Sequence, residues 1–149
     1  MASAVNTAIE ILQNDIPIAR MEFMDELSMK ACRAYSKVSL DEKPALFLEF
    51  HGPDQDHVER EIAAVREIAT SHQGSSFEMA TDQEARTKLW KARHELYYAC
   101  LNLVPNSRGI VTDVCVPISK LADMILGAQR LFQAANITGE IAGHVGTET

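Results

Sequence analysis

No apolar stretch in these 149 residues approaches the ~20 positions that a membrane-crossing helix needs. Cations are in short supply as well, with 14 Lys and Arg against 21 Asp and Glu for a net charge of −7. No Lys/Arg cluster forms a phosphate-binding patch, which argues against nucleic acid as a partner. Cysteine is limited to Cys32, Cys100 and Cys115, an odd number without a C-x-x-C pair. That pattern gives no sign of a disulfide framework and leads us to expect buried thiols in a reducing compartment. The seven glycines include neither G-x-G-x-x-G nor a P-loop, so the sequence offers no phosphate cradle. The opening Met1-Ala2-Ser3-Ala4-Val5-Asn6 has no basic n-region, no apolar h-region and no arginines. It reads as neither a secretory nor a mitochondrial presequence.

What is present is a globular composition, 46% apolar and 23% charged. A chain of this length is one ordinary domain that buries roughly 70% of its unfolded surface. No linker, repeat or low-complexity tract divides it. Residues 4–13 predict a short helix. Residues 18–24 alternate, with Met21 and Phe23 on one face and Arg20 and Glu22 on the other, as in a half-buried strand. Asp25 is suited to cap a helix reaching Ser36, with Leu27, Ala31, Ala34 and Tyr35 inward. Residues 44–51 form a strand-length apolar run. After the Gly52-Pro53-Asp54 break, Val58, Ile62, Val65 and Ala69 mark a helix to His72.

Residues 75–80 alternate as a short strand. The longest predicted helix covers residues 82–104, with Ala85, Leu89, Ala92, Leu96, Ala99 and Leu103 at core spacing, and Pro105 ends it. Residues 109–116 predict a strand. A helix capped by Ser119 then runs to Ala135 with Leu121, Met124, Ile125, Ala128, Leu131 and Phe132 inward, and residues 138–145 predict the last strand. Five strands alternating with helices suggest an α/β arrangement with parallel strands, although such a pattern does not report strand direction.

Two residues stand out for chemistry. Arg93 lies in Leu89-Trp90-Lys91-Ala92-Arg93-His94, and Trp90, Arg93 and Tyr97 share a stripe beside the core stripe. A guanidinium among aromatics can hold a carboxylate bidentately; the alternative is a solvated helix charge. His144, within Gly143-His144-Val145-Gly146, shares a strand face with Glu140 and Ala142, while Ile141 and Val145 face the other way. Imidazole there suits a metal ligand or base, or it makes an ordinary strand-end hydrogen bond. Asp113 and Glu49 are carboxylates in strand-like runs that either point to solvent or, if buried unpaired, titrate high. His51 reads as a turn residue, and His57 and His72 as surface residues near helix ends.

Five segments resemble one family in order: Ile16–Glu26, Leu46–Gly52, Leu89–His94, Thr112–Ser119 and Gly143–Gly146. Together they are similar to the C-terminal, substrate-side domain of FAD-linked oxidases, and within it to the cytochrome-linked D-lactate dehydrogenases of mitochondria. The resemblance implies an α+β domain with a mostly antiparallel sheet covered by helices. It also implies hydride transfer from C2 of a D-2-hydroxy acid to FAD, then electron transfer to cytochrome c or another acceptor. Arg93 matches the family's carboxylate-binding arginine. His144 matches the first metal-binding histidine of Gly-His-x-Gly-Asp-Gly-Asn-x-His, where the metal would be a divalent ion such as Zn or Mn.

The chain departs from that motif after Gly146, where it reads Thr147-Glu148-Thr149. The resemblance thus implies a partial domain over residues 1–149, truncated at its C-terminal end, with the flavin-binding domain, the second histidine and a Glu-His-Gly segment outside this chain. The expectation is an inactive fragment of a D-lactate dehydrogenase, whether a truncated gene model or a splice product. The same family acting on D-2-hydroxyglutarate or glycolate is one alternative. A substrate with a second carboxylate would need another cation near Arg93, where the next predicted strand offers Val111 and Thr112. A non-catalytic binding module is the other alternative.

Overall fold

The computed structural model describes residues 1–146. Helix α1 (Ala2–Gln13) leads into strand β1 (Arg20–Met24), helix α2 (Glu26–Ser36) and strand β2 (Ala45–Glu49). Helices α3 (Gln55–Ser71), α4 (Gln83–His94), α5 (Leu96–Leu103) and α6 (Ile118–Ala134) follow, and strand β3 (Ala142–His144) comes last. The strands form one antiparallel sheet in the order β2-β1-β3. The architecture is α+β, and the parallel arrangement suggested by alternation alone is corrected.

Helices cover both faces of the sheet, so there are two cores. On one side Met21 and Phe23 pack with Val5, Ala8 and Ile11 of α1, Val65 of α3 and Ile125 of α6. On the other, Met24 and Phe47 pack with Met29, Ala31 and Cys32 of α2, Ala92 of α4, and Leu96 and Ala99 of α5. The middle strand is therefore buried on both faces. This corrects the half-buried reading of β1, because the side expected to meet water, which carries Glu22, lies under α4.

Helix starts follow the sequence closely. The Asp25 carboxylate accepts the Ser28 backbone N–H at 2.8 Å, and Asp54 and Asp82 cap α3 and α4 in the same way. Such caps satisfy N–H groups that have no partner inside the helix. Helix α6 begins after Pro117 without a side-chain cap, so Ser119 lies within its first turn. In α2 the inward residues are Ser28, Met29, Ala31 and Cys32, while Ala34 and Tyr35 are exposed. In α6, Leu131 is exposed rather than inward.

Four expected elements differ. The helix over 82–104 breaks at Glu95, whose φ of −85° and ψ of 5° separate α4 from α5. The apolar spacing Ala92, Leu96, Ala99 runs through the break unchanged, which is why periodicity misses it. Residues 75–80 form no strand, and Ser76 has a left-handed φ of 58° that interrupts extension. Residues 109–116 form no strand either: among the described residues they pair with no neighbour, and Ile110 is 90% exposed. Branched residues fit a pleated surface, but they cannot supply the partner strand. The final strand is shorter than the predicted 138–145. Backbone bonds from Asp25 N–H to the Ile141 carbonyl and from Val145 N–H to the Met21 carbonyl flank it.

Candidate functional site

Strand β1 places Glu22 in the centre of the sheet, directly opposite Phe47 on β2 and His144 on β3. In a strand the side chains of opposed residues share one face. Glu22 and His144 thus lie on the same side, beneath α4. Ala142 packs against the core on that side, and Ile141 and Val145 pack into the opposite core, as the alternation of β3 predicts.

Arg93 comes down from the last turn of α4 rather than from the middle of a long helix. Its Nε and Nη2 donate to Glu22 Oε2 at 3.2 and 2.9 Å. The other carboxylate oxygen, Oε1, lies 3.5 Å from Arg20 Nε and 3.5 Å from His144 Nδ1. At that length both contacts are long for hydrogen bonds, and the one to Arg20 is a contact between charges. Glu22 is buried, whereas Arg93, Arg20 and His144 are partly open, His144 with 41% of its side chain exposed. The cluster therefore has a buried anionic floor and a cationic rim that reaches solvent.

Trp90 locks the rim in place. The Arg20 guanidinium lies 4.1 Å over its ring, and the ring meets Phe47 edge-on at 6.2 Å. The stripe expected from the sequence holds for Trp90 and Arg93 but not for Tyr97. Beyond the Glu95 break, Tyr97 sits on α5, half exposed, against Tyr98. Gly146 closes the other end: a Cβ there would lie 3.0 Å from the His144 Cε1 and Nε2 atoms. Such a contact is tighter than most side chains tolerate, so glycine lets the backbone pass beside the imidazole.

The remaining flagged residues stand apart from this cluster. Asp113 is exposed in the segment before α6, which has no regular structure. Glu49 is half-buried and accepts from exposed His51 at 3.0 Å. His57 lies 2.8 Å from the buried Glu61 of α3, and His72 joins Glu10 of α1 at 2.5 Å. Of the thiols, only Cys32 is fully buried, its Sγ 3.3 Å from the Ala92 carbonyl oxygen. Cys115 is exposed, against the expectation of three buried thiols. Burial pushes Cys32 up to about 11, with Arg93 pulling the other way, and burial pushes Cys100 up to about 12 with help from Glu140.

Among the described residues no group of three or more His, Cys, Asp or Glu side chains could hold a metal ion. His144 offers one nitrogen, and the nearest carboxylate is already engaged by Arg93. Protein metal sites generally take three or four ligands. These residues by themselves do not make up a metal site.

Glu22 and Arg20 are the members of the cluster that the sequence reading did not single out. Their only local trace is two charged residues on alternate positions of a strand, a pattern that reads as a solvent-facing side.

The family model for the C-terminal domain of FAD linked oxidases matches residues 1–149. The chain is 44% identical over 144 residues to a Danio rerio protein named probable D-lactate dehydrogenase, mitochondrial. That match takes in 97% of this chain and 29% of the relative. It is 33% identical over 143 residues to the mitochondrial D-lactate dehydrogenase [cytochrome] of Arabidopsis thaliana, covering 96% of this chain and 25% of that one. It is also 27% identical over 146 residues to glycolate oxidase subunit GlcD of Bacillus subtilis, covering 97% and 30% respectively. The chain thus spans less than a third of the length of each of these relatives.

Proposed function

From the premise that this chain belongs to the FAD-linked oxidase C-terminal domain family, we propose that it is the substrate-side part of a D-2-hydroxyacid dehydrogenase. The reaction proposed is oxidation of D-lactate to pyruvate, with electrons passed to cytochrome c or a similar acceptor. Mitochondrial residence is part of the proposal, supported by the names of the zebrafish and Arabidopsis relatives. So is the expectation that residues 1–149 act only together with a flavin-binding domain.

The observation that carries this reading is the meeting of Arg93 and His144, 51 positions apart in sequence, on the two oxygens of one buried carboxylate. Arg93 is the proposed clamp for the substrate carboxylate. A guanidinium has five N–H donors, and two are spent on Glu22, so its remaining edge can still take a carboxylate bidentately. His144 is the proposed contact to the 2-hydroxyl side of the substrate, or one ligand of a metal completed by residues elsewhere. Bound flavin would supply the hydride acceptor. This chain's residues would fix the acid, orient C2 and partly shield the cation–carboxylate contact from water.

Charge supports a monocarboxylate. Two arginines against one glutamate leave the cluster one positive charge in excess, which a single carboxylate neutralises. Arg20, and not the exposed Val111–Thr112 segment, is the second cation near Arg93, but it is occupied by Trp90 and Glu22. Glycolate meets the same requirement, and the Bacillus relative favours it as the second reading.

The test is anaerobic flavin reduction. In a protein joining this chain to a flavin-binding domain, D-lactate should bleach the flavin band, and Arg93→Met should abolish the bleaching. The chain alone with added FAD should give none. Equal bleaching in the Arg93→Met protein would sink the assignment, and faster bleaching by glycolate would reassign the substrate.

A further inference from the structure

Glu22 is the residue on which three elements converge, and the reaction outlined above gives it no task. Its backbone is held from both sides, because β1 is the middle strand of the sheet. Its carboxylate is buried, a costly position unless matched by charge and hydrogen bonds. The match is divided between its oxygens. Oε2 takes two donors from Arg93, while Oε1 faces Arg20 and the Nδ1 side of His144.

That division has a geometric result. Glu22 occupies the side edge of the Arg93 guanidinium, formed by Nε and Nη2. The end edge, formed by Nη1 and the second hydrogen of Nη2, has no partner among the described residues. The plane of the fork is rigid, so fixing one edge aims the other. The imidazole is handled in the same way. A carboxylate beside Nδ1 favours the proton there and leaves Nε2 as the acceptor.

We infer that Glu22 is the positioning residue of this site: a buried internal anion that aims the free edge of Arg93 and the Nε2 of His144 on one face of the sheet. The inference rests on the reading of Arg93 as the carboxylate clamp. Arg20 and Trp90 serve it in turn, because Arg20 is held over the Trp90 ring while it faces the same oxygen of Glu22.

The experiment is NMR on the ¹⁵N-labelled full chain, first without ligand and then titrated with D-lactate. In the native chain the Arg93 Nε–H should be resolved from the exposed arginines and slow to exchange. Glu22→Gln keeps the side-chain size and removes the charge. It should merge the Arg93 signal with the exposed arginines and shift the His144 ring nitrogens toward the other tautomer. It should also weaken D-lactate binding by about fivefold, the scale of one lost charge-assisted contact. Amide signals of α1, α3 and α6 should stay in place. Glu22→Asp, which keeps the charge but draws it back by one methylene, should give the same losses and is read if the Gln variant does not fold.

Native Arg93 and His144 signals in either variant would overturn the inference. Arg93→Met separates the two ideas. If it binds D-lactate like the native chain, the clamp reading fails, and the ligand-free His144 signals still decide the role of Glu22. If it abolishes binding while Glu22→Gln leaves affinity unchanged, the clamp stands and the positioning role falls.

Discussion

The Arg20 guanidinium lies 4.1 Å over the Trp90 ring, joining strand β1 to helix α4 one turn before Arg93. The contact is cation–π, and the same ring meets Phe47 edge-on from β2. One indole therefore ties two strands to the helix that delivers the arginine.

Trp90→Leu should lower stability by about 2 kcal/mol, the sum of a partly buried cation–π contact and an aromatic pair. Trp90→Phe should lose less, because a smaller π face remains. Urea unfolding of the three proteins measures this. A loss in the Leu variant no greater than in the Phe variant would mean that the ring acts only as apolar filler.

Asp25 gives a prediction in pH. Burial raises its carboxyl above the ordinary 3.8, an effect that its bonds from Ser28 only partly offset. The folded chain then holds this proton to higher pH than the unfolded chain does. The contribution of the group to stability is complete below 3.8 and is lost as pH rises through the folded value. Asn caps a helix about as well as Asp and does not titrate. Asp25→Asn should gain stability relative to the native chain as pH rises from below 3.8 to neutrality. A stability difference that is flat with pH over that range would contradict the shift.

Thiol labelling should separate the three cysteines. Thiolate is the reactive form, and burial holds Cys32 up at about 11 and Cys100 at about 12. Cys115 is exposed on the irregular segment before α6. At mildly alkaline pH a maleimide or iodoacetamide should add once and rapidly, at Cys115, with further additions only on unfolding. Intact-mass spectra followed by peptide mapping read the outcome, and a fast adduct on Cys32 would be the contrary result.

Much of the fold was legible because its signals are local. The cap at Asp25, and the apolar stripe from Ala85 to Leu103, need only a few neighbouring residues to be read. The break at Glu95 was hidden because α5 continues the spacing of α4. Residues 109–116 were misread because branched side chains describe a surface that fits a sheet without saying whether a neighbouring strand is there. The site was legible in part for the same reason. Arg93 and His144 show as chemistry in their own segments. Glu22 looked like the polar side of a strand, since nothing local says that α4 covers it.

The pairing of β1 with β3 gives the site a parity. Glu22 faces His144 because the two strands align at that position and not at the next. Sliding β3 by one residue would set Gly143 or Val145 opposite Glu22 and turn the imidazole to the other side of the sheet. An insertion of one residue between Thr138 and Ile141 can be absorbed by the loop, leaving the site intact. The same insertion between Ala142 and His144 inverts it, and an insertion of two residues there restores the side but moves the imidazole along the strand. In this chain the arithmetic of odd and even, and not the strength of any single bond, decides whether the histidine belongs to the site.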